Sequence, residues 1–206
     1  MKLGFICPDL PGHVNPMTAL ARQLQARHHE VVFLYSSGAA GLPFVRGPEK
    51  DHVNENRPKV SKMHGQDALQ SSVRSVLAQT ELILKSLPSI VEANRIEALI
   101  IDTVQFYAEL GAMQLDIPYI HVSNGVHHDY SGYTPLCLYG WPHETTPAAL
   151  ARNREGLAKW ASLLESVNEG IKAHASSVGL KIDWNGSRRH CFPVGSHHPS
   201  ASSLRL

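Results

Sequence analysis

The 206-residue sequence carries no excess charge of either sign: 19 Lys and Arg stand against 18 Asp and Glu, a formal net charge of +1. A chain so balanced has no global field toward nucleic acid or anionic lipid, and no long basic block supplies one locally. Cysteine is scarce. Cys7, Cys137 and Cys191 are odd in number, far apart and form no CxxC, which argues against a disulfide framework and fits a reducing compartment. No apolar run reaches the ~20 residues of a membrane span. The opening Met1–Pro8 is too short an apolar run for a signal peptide. There is no internal repeat, and no G-x-G-x-x-G follows the first apolar run, so a dinucleotide fingerprint is missing. What remains reads as a soluble cytoplasmic protein, 43% hydrophobic, with enough apolar residues for one well-buried domain.

The periodicity alternates between strand and helix. Leu3 to Ile6 reads as a buried strand ended by Pro8, and Pro11-Gly12 as a turn. Asn15 then reads as an N-cap with Pro16 at the first helical position, followed by Met17, Leu20, Ala21 and Leu24 on one face. His28-His29 closes that helix where positive charge suits the dipole. Val31 to Tyr35 completes a βαβ unit, and Leu42 to Arg46 reads as a short third strand. Residues 47 to 66 are a polar loop. A long helix is expected from Asp67 to Val91, with Val73, Val76, Leu77, Leu84 and Leu87 on its apolar face and Pro88 kinking or shortening its end. A fourth strand, Ala98 to Ile101, is bounded by Asp102. A helix over Thr103 to Leu115 and a fifth strand over Pro118 to Val122 follow. The pattern predicts an α/β domain with a parallel, doubly wound sheet.

Residues 124 to 147 form a long connection whose aromatics, Tyr130, Tyr133, Tyr139 and Trp141, argue for packing against something. A helix is expected from Ala148 to Ser176, where Leu150, Leu157, Trp160, Leu164, Val167 and Ile171 recur at spacings of 7, 3, 4, 3 and 4. The domain is expected to span residues 1–184. After Trp184 the composition turns to Ser, His, Arg, Gly and Pro, and 185–206 reads as a disordered tail, expected to arise from a frameshift or truncation inside a longer gene.

Two segments carry chemistry. Residues 7 to 21 read Cys-Pro-Asp-Leu-Pro-Gly-His-Val-Asn-Pro-Met-Thr-Ala-Leu-Ala. They resemble the P-x-x-G-H-x-N-P-x-x-x-L-A opening of the UDP-glycosyltransferase superfamily, including its bacterial carotenoid, sterol and macrolide-type members. Residues 99 to 120 also look like that family: a strand ending in Asp102, a helix, then Asp-Ile-Pro-Tyr-Ile. The resemblance covers residues 1 to about 180 and implies a Rossmann-like domain, the acceptor-binding half of a GT-B fold. It implies His13 as general base on an acceptor hydroxyl and Asp102 as the group that orients it.

Elementary chemistry agrees with those roles. Inverting transfer of a sugar to a hydroxyl needs a base near neutrality, and imidazole is one. A carboxylate on the other ring nitrogen fixes the tautomer and stabilises the imidazolium. In a 3-2-1-4-5 sheet, strands 1 and 4 flank the point where strand order reverses, so the fold would bring these residues together. Asp102 also reads as a helix N-cap, with Gln105 at the N3 position of a capping box, and capping is compatible with catalysis. Gly12 is expected to take φ > 0 or let a ligand approach the backbone. Phe106, Tyr107, Tyr133 and Trp141 are candidates for an apolar acceptor pocket, with ordinary packing as the alternative for each. The His127-His128-Asp129 cluster lacks a third partner at ligand spacing, so no metal site is expected.

The family's donor-side signature, a glycine-rich loop with His-Cys-Gly and an acidic-Gln pair, does not occur, and Arg189-His190-Cys191-Phe192 has no strand-loop-helix pattern around it. No cofactor is expected beyond a UDP-sugar co-substrate. The expected partners are a hydroxylated, lipophilic small molecule and either a separate donor-domain protein or a second copy of the chain. A non-catalytic module that binds a small molecule is the alternative reading.

Overall fold

The computed structural model describes residues 1–35, 41–47, 56, 58–125, 129 and 131–182. Strand β1 (Lys2–Ile6) leads into helix α1 (Pro11–Ala26), strand β2 (Glu30–Leu34) and the short β3 (Phe44–Val45). Helix α2 (Gly65–Ala93) precedes β4 (Ala98–Asp102), a 3-10 segment (Thr103–Ala108), α3 (Glu109–Gln114) and β5 (Tyr119–Val122). A 3-10 turn (Cys137–Tyr139) and helices α4 (Pro147–Leu163) and α5 (Glu165–Ser177) follow. The expected tail, 185–206, lies outside the described residues, as do Tyr130 and Trp184.

The strands form one parallel sheet in the order β3-β2-β1-β4-β5. Alternate side chains go to opposite faces, and each face has its own core. Leu3, Phe5, Phe33 and Ile100 meet Val14, Met17, Ala21 and Leu24 of α1. Ile6, Leu34, Leu99 and Ile101 meet α2 through Ile83, Leu84 and Leu87, with Val167 and Ile171 of α5 in the same cluster. Phe5 and Phe33 are fully buried and stack with centroids 5.1 Å apart. Burying a ring of this kind contributes ~1.5–3 kcal/mol.

Several element ends differ from the sequence expectation, each for a local reason. Helix α1 begins at Pro11, with Leu10 as its N-cap residue. The proline at the position that needs no N–H donor is thus Pro11, while Pro16 lies inside the helix. Gly12 accordingly sits in the first helical turn and is not among the glycines with positive φ. His28 and His29 close α1 through the backbone: His28 is left-handed (φ 66°), and its N–H and that of His29 bond to Gln25 and Leu24 carbonyls.

Pro88 does not end α2, which runs on to Ala93. Buried Leu84, Leu87 and Val91 pin both sides of it to the sheet, and their burial outweighs the ~3 kcal/mol cost of an internal proline. The helix expected over 103–115 is 3-10 in its first part, with Gln105 at non-helical angles (φ −110°, ψ 34°). The long C-terminal helix breaks at Leu164 (φ −91°, ψ 4°). Ahead of the break α4 buries Ala149, Asn153 and Gly156, and beyond it α5 buries Val167, Ile171 and Ala175.

Candidate active site

Parallel pairing aligns the carboxyl ends of β1 and β4, with Ile6 opposite Ile101. The chain then leaves β1 into the first turn of α1, which carries His13, and leaves β4 at Asp102. Across 89 positions of sequence, His13 Nδ1 lies 2.7 Å from Asp102 Oδ2. The Asp102 side chain is fully buried, and that of His13 is 24% exposed.

Two more N–H groups satisfy the carboxylate. Val104 N–H donates to Oδ1 at 2.9 Å, so Asp102 does cap the 3-10 segment, one residue earlier than a capping box places the bond. Asn124 Nδ2 donates to Oδ2 at 2.7 Å. Sequence reasoning left Asn124 in a loop. The available signal was its position two residues past β5, the strand next to β4, on the same edge of the sheet. A buried carboxylate is tolerated when its oxygens are hydrogen-bonded, and these three donors hold Asp102 in one orientation. With its Nδ1–H bound to the carboxylate, a neutral His13 keeps a lone pair on Nε2. Such an arrangement can accept a proton from a group placed against that nitrogen.

A cavity of about 90 Å³ opens between the β1–α1 connection, α2 and the 3-10 segment; neither His13 nor Asp102 is among its lining residues. Cys7, Leu10, Tyr35, Gln79, Gln105 and Tyr107 are among its walls. Tyr35 is fixed there by a 2.9 Å bond between its hydroxyl and Ser86 Oγ, and burial raises its hydroxyl above the usual phenol range. Phe106 and Tyr107 are buried and meet edge to face at 5.6 Å; Tyr107 also walls the cavity. Tyr133 is 63% exposed. Trp141 stacks on Tyr139 at 4.1 Å, under the Arg152 guanidinium and against Gly156 of α4. Neither Tyr133 nor Trp141 is among the described residues lining this cavity. Apart from its chain neighbours and the backbone of its own helix turn, no atom of the described structure comes within 4 Å of a Cβ built on Gly12, so the space above it is open. His127 and His128 lie outside the described residues. Asp129 is held at about 2: slight burial opposes this, but hydrogen bonds from Ser131 and Thr134 outweigh it.

A second polar pair lies on the opposite face of the sheet edge. His121 Nε2 meets Glu109 Oε2 at 3.0 Å. Burial pushes the Glu109 carboxyl above the usual range, and hydrogen bonds from His121 and Tyr119 partly restrain it. His121 alternates along β5 with Ile120 and Val122, which pack toward α1, so this pair does not join His13 and Asp102.

No protein-family model matches the chain. It is 22% identical over 183 residues to zeaxanthin glucosyltransferase of Pseudescherichia vulneris, covering 85% of this chain and 44% of that enzyme. Its fold resembles the glycosyltransferase SnogD from Streptomyces nogalater (TM-score 0.52, 16% identity, 88% of this chain and 41% of that one). It also resembles the glycosyltransferase of kitacinnamycin (TM-score 0.53, 18% identity, 88% and 42%). No helix among the described residues is long and apolar enough to cross a membrane. The chain thus has the fold of the N-terminal half of a GT-B glycosyltransferase and is related in sequence to one, spanning less than half the length of the relatives it matches.

Proposed function

We propose that this chain is the acceptor side of an inverting, nucleotide-sugar-dependent glycosyltransferase acting on the hydroxyl of a small lipophilic molecule. The observation that carries the reading is the 2.7 Å contact between His13 and the buried Asp102 at the carboxyl edge of a parallel sheet. His13 Nε2 removes the acceptor hydroxyl proton as the oxygen attacks the anomeric carbon. The bond from that carbon to the diphosphate breaks, and the nucleoside diphosphate leaves with the electron pair. Asp102 stabilises the imidazolium, and Asn124 and Val104 N–H keep the carboxylate aimed. Open space above Gly12 gives the acceptor access to the turn that carries His13. Phe106, Tyr107, Tyr133 and Trp141 are the aromatics we assign to acceptor contact, Tyr107 from the cavity wall. Transfer needs both reactants in near-attack geometry, so a donor-side half, in the same or another polypeptide, completes the site.

The test is a labelled UDP-glucose assay with hydroxylated carotenoids, chosen because the sequence relative acts on zeaxanthin by name. The 206-residue chain alone should give no product above background. Adding the separately produced C-terminal half of that relative should give product that disappears with His13→Ala. Robust turnover by the chain alone would refute the division of labour, and product surviving His13→Ala would refute the base assignment.

A further inference from the structure

Two donors converge on one oxygen of the Asp102 carboxylate. His13 Nδ1 and Asn124 Nδ2 each lie 2.7 Å from Oδ2, while the Val104 N–H donates to Oδ1 at 2.9 Å. The sheet register pairs Asp102 with Val122, so Asn124 lies two residues beyond the point where β5 stands opposite the carboxylate. Ser123 Oγ donates to the Gly125 carbonyl at 3.2 Å and closes the turn around it. Asp102 is fully buried, so its charge is divided among these donors without screening by bulk water. Val104 and His13, one on each oxygen, already define the plane of the carboxylate. The third bond therefore alters how much charge His13 meets more than the direction in which it points.

We propose that Asn124 is a positioning residue for the general base: it draws off part of the charge on Oδ2 and so limits how tightly His13 holds a proton. This role rests on the reading of His13 as the base. Negative charge beside an imidazole decides how firmly the ring keeps a second proton. A base trapped as imidazolium cannot take the proton of an acceptor hydroxyl, and a catalytic base works best when its proton affinity matches the working pH. An oxygen that carries a second donor offers less charge to the first. Neighbouring hydrogen bonds alter one another's strength by roughly 10–30%. For a bond to a charged group that corresponds to about a 1.5- to 4-fold change in proton binding. Cys7 and Asp9 before α1, Tyr35 after β2 and Tyr107 on the 3-10 segment are other titratable side chains at this end of the sheet. Glu109 and His121 pair with each other on its far face. All of these are common to the wild type and an Asn124 variant, so they cancel in the comparison.

Nitrogen-15 and proton spectra of the full chain over a pH titration, without sugar donor or acceptor, test this. In the wild type the Asn124 side-chain amide should shift with the same midpoint as the His13 ring, because both donors share one oxygen. Asn124→Leu keeps the size of the side chain and removes the donor. In it His13 should bind its second proton about 1.5- to 4-fold more tightly than in the wild type. Asp102 has no exposed surface left to lose, so the leucine adds no desolvation there. An Asn124 amide indifferent to the His13 titration would overturn the proposal. So would unchanged or weaker proton binding in the variant, the sign expected if Asn124 only aimed the carboxylate. Should Asn124→Leu fail to fold, the wild-type spectra alone decide. None of these measurements involves transfer: product surviving His13→Ala in the reconstituted assay would sink the base assignment, whereas a failed titration sinks only the role of Asn124.

Discussion

Replacing Asp102 with Asn perturbs the contact on which the proposed chemistry turns while keeping its size. In the wild type a fully buried carboxylate accepts from His13 Nδ1 at 2.7 Å. A hydrogen bond to a charged group contributes ~1.5–3 kcal/mol. At ~1.4 kcal/mol per factor of ten, that biases the neutral imidazole roughly 10- to 140-fold toward the tautomer with the proton on Nδ1. In the variant, Val104 N–H still needs an acceptor where Oδ1 stood, which fixes the new carbonyl oxygen there and turns the amide nitrogen toward His13 and Asn124. Asn124 can answer by rotating its own carboxamide. His13 can answer only by moving its proton to Nε2, and the lone pair needed for catalysis goes with it. Nitrogen-15 spectra of the imidazoles at about pH 9, above the ordinary histidine range, should show the tautomer reversed. The urea midpoint should fall by no more than the equivalent of ~1 kcal/mol, because every donor can still find a partner. In a complete enzyme the same change should cost on the order of 10,000-fold in kcat, as a wrong tautomer does in the serine-protease triad. An Nε2–H tautomer in the wild type, or no reversal in the variant, would refute the reasoning.

Three further outcomes follow from other parts of the structure. Asn124→Leu removes one donor from the buried carboxylate and should cost ~1.5–3 kcal/mol in chemical denaturation; the loss should shrink in an Asp102→Ala background, and strict additivity would mean the contact does not couple the two residues. Gly156→Ala places a Cβ 2.8 Å from Trp141 and 2.9 Å from Tyr139, two rings already stacked on each other. Overpacking at ~1–3 kcal/mol should outweigh the ~1 kcal/mol gain in helix propensity and lower Tm; a rise in Tm would show that the aromatic pair gives way. His174 is held below the ordinary value of 6.5 by burial and by the Lys85 cation. The unfolded chain therefore takes up that proton first, so this residue's contribution is complete above about 6.5 and is lost as pH falls toward the depressed value. His174→Leu should flatten the decline of stability over that window, and an unchanged slope would rule out burial of His174 as its source.

Periodicity by itself determined the α/β alternation and the parallel sheet, while the meeting of His13 with Asp102 was legible only through the resemblance carried by residues 7 to 21 and 99 to 120. Once the strand order is given, the pairing follows, because a strand's carboxyl end delivers its next residues to a place set by topology. The sequence did not determine where continuous patterns stop. The 3-and-4 spacing of Leu157, Trp160, Leu164, Val167 and Ile171 runs unbroken through Leu164, yet the helix breaks there so that α4 and α5 can bury different faces. Whether Pro88 ends α2 depended on the burial of neighbouring residues, which local propensity does not contain. Only the tertiary structure showed that Asn124 completes the carboxylate's shell and that the buried Gln105 Oε1 has no hydrogen-bond partner among the described residues. Both facts concern hydrogen-bond partners brought in from other elements, and a linear pattern of residue types does not record which donors and acceptors end up face to face.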